Sequence, residues 1–198
     1  MWIWRRAGAA ADLLITNAKL VDVLTGEIRE TDVSVGGGKI LGFSHTEAVK
    51  VVDARGAYLL PGLIDAHIHI ESSMVSPARF AGLVLPHGTT SVVADPHEIA
   101  NVHGLEGIRY MLENGRHLPL NIFIALPSCV PATPFEDSGA VLSAEELEEL
   151  IDDPKVTGIG EMMNFPGVVS GDYDVLAKIQ LGTSHGKIVD GHAPGLLG

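Results

Sequence analysis

The sequence predicts an α/β protein, a small β unit followed by strands that alternate with helices. Three observations carry this. Short apolar runs recur along the chain, with 23 glycines in 198 residues to turn between them. The pattern changes at Pro61-Gly62. Beyond that point, stretches with helix-boundary signals separate the apolar runs.

Residues 1–10 are expected to be a disordered leader or a misassigned start. Trp2, Ile3 and Trp4 precede Arg5 and Arg6, the reverse of a signal peptide's order, and Asp12 interrupts the apolar stretch after the arginines. Residues 11–60 read as the N-terminal β unit. Its candidate strands are 13–16, 19–23, 32–35, 39–43 and 51–53, punctuated by Gly26, Gly36-Gly37-Gly38 and Gly56. An antiparallel arrangement is expected.

Residues 61–198 carry apolar runs at 63–70, 90–94, 120–126, 156–162 and 187–190. Continuous apolar runs suit parallel strands buried on both faces. Ser76 and Pro77 mark one helix start, and Gly88 closes the turn after it. Leu105, Ile108, Met111 and Leu112 form an apolar helical face ended by Gly115. Ser143-Ala144-Glu145-Glu146 is a capping box. The fourth connector, 172–186, has a weaker period. Both an open doubly wound sheet and a (β/α)8 barrel fit this series. A whole barrel takes about 250 residues, so a barrel here is cut after its fifth strand.

Composition excludes several classes. The net charge of −12 argues against nucleic acid and anionic membrane surfaces, whose binding rests on Lys and Arg. No apolar run approaches the roughly 18 residues of a membrane span. The single cysteine, Cys129, cannot form an internal disulfide, which fits the reducing cytoplasm. Nucleophile-elbow, Walker and dinucleotide-turn motifs are absent, as is the zinc signature of cytidine deaminases.

The chemistry-bearing residues fall at strand ends. His67 and His69 are two residues apart on the first strand after Pro61, so both imidazoles face one side and could grip one divalent ion. Asp95-Pro96-His97-Glu98 follows the second strand and could orient a substrate or relay protons. Glu161 ends the fourth strand, where a carboxylate is costly unless paired or metal-bound. His192 ends the fifth. Strand C-termini are where barrels and open α/β sheets both build their sites.

Pro61-Gly62-Leu63-Ile64-Asp65-Ala66-His67-Ile68-His69 resembles the metal-binding opening of the amidohydrolase superfamily. Four longer segments are similar to its adenine deaminase family. They are Ile70-Glu71-Ser72-Ser73-Met74, Asp95-Pro96-His97-Glu98-Ile99-Ala100-Asn101-Val102, Gly160-Glu161-Met162-Met163-Asn164-Phe165-Pro166-Gly167-Val168 and Val189-Asp190-Gly191-His192-Ala193-Pro194-Gly195.

The resemblance implies a (β/α)8 barrel flanked by a β-sandwich-type domain. It implies two divalent ions, manganese or iron with zinc as a further option. His67 and His69 would hold one, Glu161 would bridge both, and His192 would hold the second. A metal-bound hydroxide would attack C6 of adenine, releasing ammonia and hypoxanthine, a purine-salvage reaction. Asp95, His97 and Glu98 would contact the purine or move protons, and Ser72, Ser73 and Asn164 would line its pocket. Asp65 would orient an imidazole. A histidine from a sixth strand and an aspartate from an eighth would complete the ligands. Leu197 stands where the family commonly has a small polar residue. The complete protein would be a homo-oligomer with a small-molecule substrate. The alternatives are another amidohydrolase with a cyclic amide substrate, or a non-catalytic, metal-binding remnant.

Overall fold

The computed structural model describes residues 10–133 and 135–195. Residues 1–9 and Leu197, which carry two of the expectations above, lie outside the described residues. The chain divides at Pro61/Gly62 into two compact units.

The first unit is one mixed five-stranded sheet. Its strands are β1 (Ala11–Val21), β2 (Ile28–Gly36), β3 (Lys39–Gly42), β4 (Ala48–Asp53) and β5 (Tyr58–Leu59). The order is β3-β2-β1-β4, with β5 also pairing β1. The expected antiparallel arrangement is corrected here, because β4 and β5 run parallel to β1. Alternating polarity marks a strand but is the same whichever way its partner runs. The two candidate strands at 13–16 and 19–23 are one strand, broken by an irregularity between Ile15 and Ala18. Asn17 lies in that break at φ 54°, a conformation Asn tolerates better than most residues. Its amide donates to Asp32 Oδ1 at 3.2 Å and its Nδ2 to Asp53 Oδ1 at 2.9 Å. Leu14, Ala18 and Val33 are buried in this unit's core.

The second unit is a parallel five-stranded sheet with helical connections. Its strands are β6 (Leu63–Ile68), β7 (Thr89–Ala94), β8 (Asn121–Pro127), β9 (Val156–Met162) and β10 (Ile188–Gly191). The helices are α1 (Pro77–Val84), α2 (His97–Gly115), α3 (Ala144–Ile151), α4 (Phe165–Ser170) and α5 (Tyr173–Ser184). The spatial order is sequential, β10-β9-β8-β7-β6. A doubly wound sheet reverses its order at a switch point. A sequential parallel order is the barrel's, so this is the partial barrel of the two architectures.

Local chemistry explains the helix starts. Ser143 accepts from the Glu146 amide at 3.3 Å and Glu146 accepts from the Ser143 amide at 2.9 Å, completing the capping box of α3. Ser76 precedes α1 but its side chain makes no capping bond, leaving Pro77 as the start signal. Helix α2 begins eight residues before the apolar face read from sequence, with non-helical backbone at Gly104. Helix α4, absent from the sequence reading, is capped by Asn164, which accepts from the Gly167 amide at 3.0 Å.

Ile70, Val92, Ile108, Ile124, Leu126, Leu147, Ile151 and Ile159 form the centre of this unit's core. Burying one such side chain stabilises the fold by about 1.5–3 kcal/mol. Burial on both faces holds for the middle strands and fails at β6, where Leu63 and Ile64 are exposed because β6 is an edge.

Two glycines set the close approach of β9 to its neighbours. A Cβ at Gly158 would overlap the Ile188 carbonyl of β10, and one at Gly160 would overlap the Asp95 carboxylate. Gly158→Ala is therefore expected to destabilise the protein by about 1–3 kcal/mol, lowering the urea midpoint followed by circular dichroism. An unchanged midpoint would show that β10 does not depend on that contact.

Candidate metal centre

Every chemistry-bearing residue singled out in the sequence lies in the second unit, on the same end of its sheet. His67 is in β6 and His69 follows it, Asp95 follows β7, Glu161 is in β9 and His192 follows β10. Backbone bonds fix these ends. The Asp95 amide donates to the Ile68 carbonyl at 3.0 Å, and the His192 amide to the Met162 carbonyl at 3.1 Å.

Three ligand-type atoms form a near-equilateral triangle. His67 Nε2 and His69 Nε2 are 3.2 Å apart. Glu161 Oε2 lies 3.5 Å from the first and 3.3 Å from the second. Ligands bonded to one ion at about 2.0–2.1 Å stand about 3.3 Å apart in a tetrahedral shell. The triangle therefore has the spacing of one face of such a shell. Its tautomers also suit a metal. His69 Nδ1 is 2.9 Å from the Asp95 carbonyl oxygen, which only a protonated nitrogen can approach as a donor. That leaves the Nε2 lone pair facing His67 and Glu161. Glu161 Oε1 turns the other way and is 2.8 Å from His192 Nε2. The carboxylate thus presents one oxygen to each of two histidine groups, as a bridging ligand requires.

Glu161 is held in this pose at a cost. Its φ is 21°, a conformation that L side chains rarely adopt. Buried Ser128 donates its hydroxyl to the Glu161 carbonyl at 3.0 Å, securing the turn.

A second group surrounds the same carboxylate. His97, the first residue of α2, has Nδ1 3.5 Å from Asp95 Oδ1 and 3.7 Å from Glu161 Oε2. Glu98 accepts the Ser72 hydroxyl at 2.5 Å on Oε1, while its Oε2 faces His69 and His97. Ser73 donates to the Ile70 carbonyl at 2.6 Å. Five buried side-chain atoms have no hydrogen-bond partner among the described residues, namely Glu71 Oε2, Asp95 Oδ1, His97 Nδ1, Glu98 Oε2 and Glu161 Oε2. Each orphaned group of this kind costs about 1–3 kcal/mol, and more if charged. Four of these orphans, on Asp95, His97, Glu98 and Glu161, belong to residues grouped closely enough to hold divalent ions.

The electrostatics agree. Burial pushes the Asp95 and Glu71 carboxyls above their ordinary values. The Asp95 carboxylate beside His97 pulls that imidazole's pKa up, against its burial. Burial works to raise Glu161, but the His192 hydrogen bond and the neighbouring imidazoles together hold it below the usual carboxylate value.

Two residues escape the sequence reading. Asp190 Oδ2 lies 3.7 Å from His67 Nδ1, and Glu71 Oε1 accepts from the Ile99 amide at 3.3 Å. Both have a signal, since Asp190 is two residues before His192 and Glu71 two after His69. Asp65, expected to orient an imidazole, instead accepts from the His67 backbone amide at 3.2 Å. It shares the imidazoles' strand, and its short side chain reaches the near backbone first. Cys129 is buried beside Met162, its Sγ 3.6 Å from the Met162 sulfur. His45 Nδ1 is 3.0 Å from Asp32 Oδ2, and His185 Nδ1 is 2.9 Å from Asp152 Oδ1.

A protein-family model described as the amidohydrolase family matches residues 58–198. The chain belongs to the amidohydrolase family. Among amidohydrolases of known sequence, it is 63% identical over 190 residues to an adenine deaminase of Nitratidesulfovibrio vulgaris, covering 96% of this chain and 33% of that protein. It is 51% identical over 188 residues to an adenine deaminase of Clostridium acetobutylicum, covering 95% of this chain and 33% of that protein. The chain thus spans about a third of the length of the curated relatives it matches. Among solved structures it resembles a zinc-bound N-acyl-D-glutamate deacylase of Bordetella bronchiseptica, with TM-score 0.63, 16% identity, and coverage of 93% of this chain and 45% of that one. It also resembles a D-aminoacylase with a binuclear metal centre, with TM-score 0.62, 18% identity, and coverage of 90% and 44%. These two likenesses establish the fold.

The raised Asp95 pKa gives a signed prediction for metal-free protein. A carboxyl whose folded pKa exceeds its ordinary 3.8 stabilises the fold below that value and loses the contribution as pH rises through the folded pKa. Asp95→Asn cannot ionise, so in chelator it is expected to melt at a higher temperature than wild type at pH 7. The gap should shrink towards pH 4 in calorimetry. A variant less stable at pH 7 would mean that the Asp95 charge is compensated without metal.

Proposed function

We propose that the full-length protein is an adenine deaminase that hydrolyses adenine to hypoxanthine and ammonia. The observation that carries this is 63% identity to an adenine deaminase spread over 96% of the chain. The site chemistry supports it. His67, His69 and Glu161 would hold one divalent ion, and Glu161 with His192 would meet a second. Manganese or iron suits the mixture of imidazole and carboxylate donors, with zinc also compatible. Such ions supply a water acidified towards neutral pH as the nucleophile for C6.

The chain's own residues do the rest. Buried Asp95 and the partly buried His69, His97 and Glu98 pack around Glu161 and fix the ligands. Glu98, with Oε1 held by Ser72, is a carboxylate able to take up a proton on Oε2 and deliver it to the departing ammonia. Ser72, Ser73 and Asn164 are proposed to line the purine pocket. The reaction belongs to purine salvage, and its partner is a small molecule, in keeping with a net charge of −12. A cytoplasmic homo-oligomer is the expected setting.

Glu161→Gln keeps the shape and removes the charge. In the full-length, metal-loaded protein it is expected to lower kcat/KM for adenine by at least about 1,000-fold, as loss of an essential ligand does. It should also reduce bound metal measured by plasma mass spectrometry. Wild-type turnover and metal content in this variant would refute the bridging role. No hypoxanthine from adenine in the metal-loaded wild type would refute the substrate.

A further inference from the structure

We infer that Asp95 and His97, together with Glu161, form a further divalent-cation site beside the one framed by His67 and His69. The inference rests on the reading of Glu161 as a metal ligand and extends it to a strand end that the ligand set above leaves out.

Asp95 follows β7, and His97, two residues later, opens α2. The Asp95 residue is only 2% exposed, yet its Oδ1 has no hydrogen-bond partner. His97 Nδ1 and Glu161 Oε2 are buried and unpartnered as well. His97 Nδ1 is 3.5 Å from Asp95 Oδ1 and 3.7 Å from Glu161 Oε2, and each of the three residues offers a ligand atom within 4.8 Å of those of the other two. A direct hydrogen bond does not account for them. At 3.5 Å the contact of His97 Nδ1 with Asp95 Oδ1 is long, and it leaves both atoms without a hydrogen-bond partner. One cation among the three satisfies them all.

The neighbouring group of His69, His97 and Glu98 is also close enough to hold an ion. It fails on tautomer, because the His69 nitrogen that faces Glu98 is the one whose proton meets the Asp95 carbonyl. Glu98 then serves the Asp95 site from outside. Its Oε2 is 3.9 Å from His97 Nε2, so it faces the protonated side of an imidazole that ligates through Nδ1. Gly160 leaves the room, since a Cβ there would run into Asp95 Oδ2. Two carboxylates and one imidazole carry a charge of −2, a hard donor set that favours Mn²⁺ or Fe²⁺ over soft ions.

The test uses crystals of full-length, metal-stripped protein soaked in Mn²⁺ and measured at the manganese edge. An anomalous peak about 2.0–2.2 Å from Asp95 Oδ1, His97 Nδ1 and Glu161 Oε2 is expected, in addition to one at His67 and His69. A peak at His67 and His69 with none beside Asp95 overturns the site and spares the metal-centre reading. In solution, Asp95→Asn and His97→Gln are each expected to retain one Mn²⁺ fewer per chain than wild type after gel filtration. Wild-type stoichiometry in both variants also overturns the site. If the peak is present but adenine is not turned over, the site stands and the proposed substrate falls.

Discussion

Glu161 Oε2 is buried among the imidazoles of His67, His69 and His97 and receives a hydrogen bond from none of them. The separations of 3.3–3.7 Å are longer than the roughly 2.7–3.2 Å typical of N–H···O bonds and too short to admit water between. A positive charge at the centre would satisfy an arrangement of this kind. The left-handed backbone of Glu161, the Ser128 hydroxyl on its carbonyl and the missing side chains at Gly158 and Gly160 all serve to hold this one carboxylate where four strand ends meet.

The parallel sheet makes that meeting possible. Because β6, β7, β9 and β10 run in one direction, their C-termini share an edge, and residues distant in sequence become neighbours there. The core beneath is ordinary aliphatic packing of Val92, Ile124, Leu126 and Ile159. It anchors a polar cluster whose burial is unfavourable and which its own hydrogen bonds and imidazoles compensate in part. Asp95 shows the tension most plainly, since burial drives its carboxyl towards protonation while a cation would need it ionised. Stability and metal affinity therefore pull in opposite directions at this residue.

Much of this is legible in the sequence. The strand-end rule groups His67, His69, Asp95, His97, Glu161 and His192, because period-two spacing and apolar runs report directly on strands. The five parallel strands fall within a few residues of their expected places for the same reason. Parallel pairing of β4 and β5 with β1 is not legible, since the polarity of a strand carries no record of its partner's direction. Helix α4 escapes because its six residues hold less than two turns of periodicity. The role of Asp65 is hidden because a side chain's choice between backbone and imidazole is decided by reach, which spacing does not encode. Asp190 and Glu71 obey the same two-residue spacing, but beside histidines they read as neighbours and not as participants.

The central claim is that divalent ions compensate this cluster. Calorimetric melting of the full-length protein over a Mn²⁺ titration, begun in chelator, tests it most directly. The account predicts a melting temperature that climbs with free Mn²⁺ and keeps climbing above saturation, as mass action requires of an ion bound only by the folded state. A melting temperature indifferent to Mn²⁺, iron and zinc would contradict it. The unpartnered carboxylates would then have to be neutralised by protons alone.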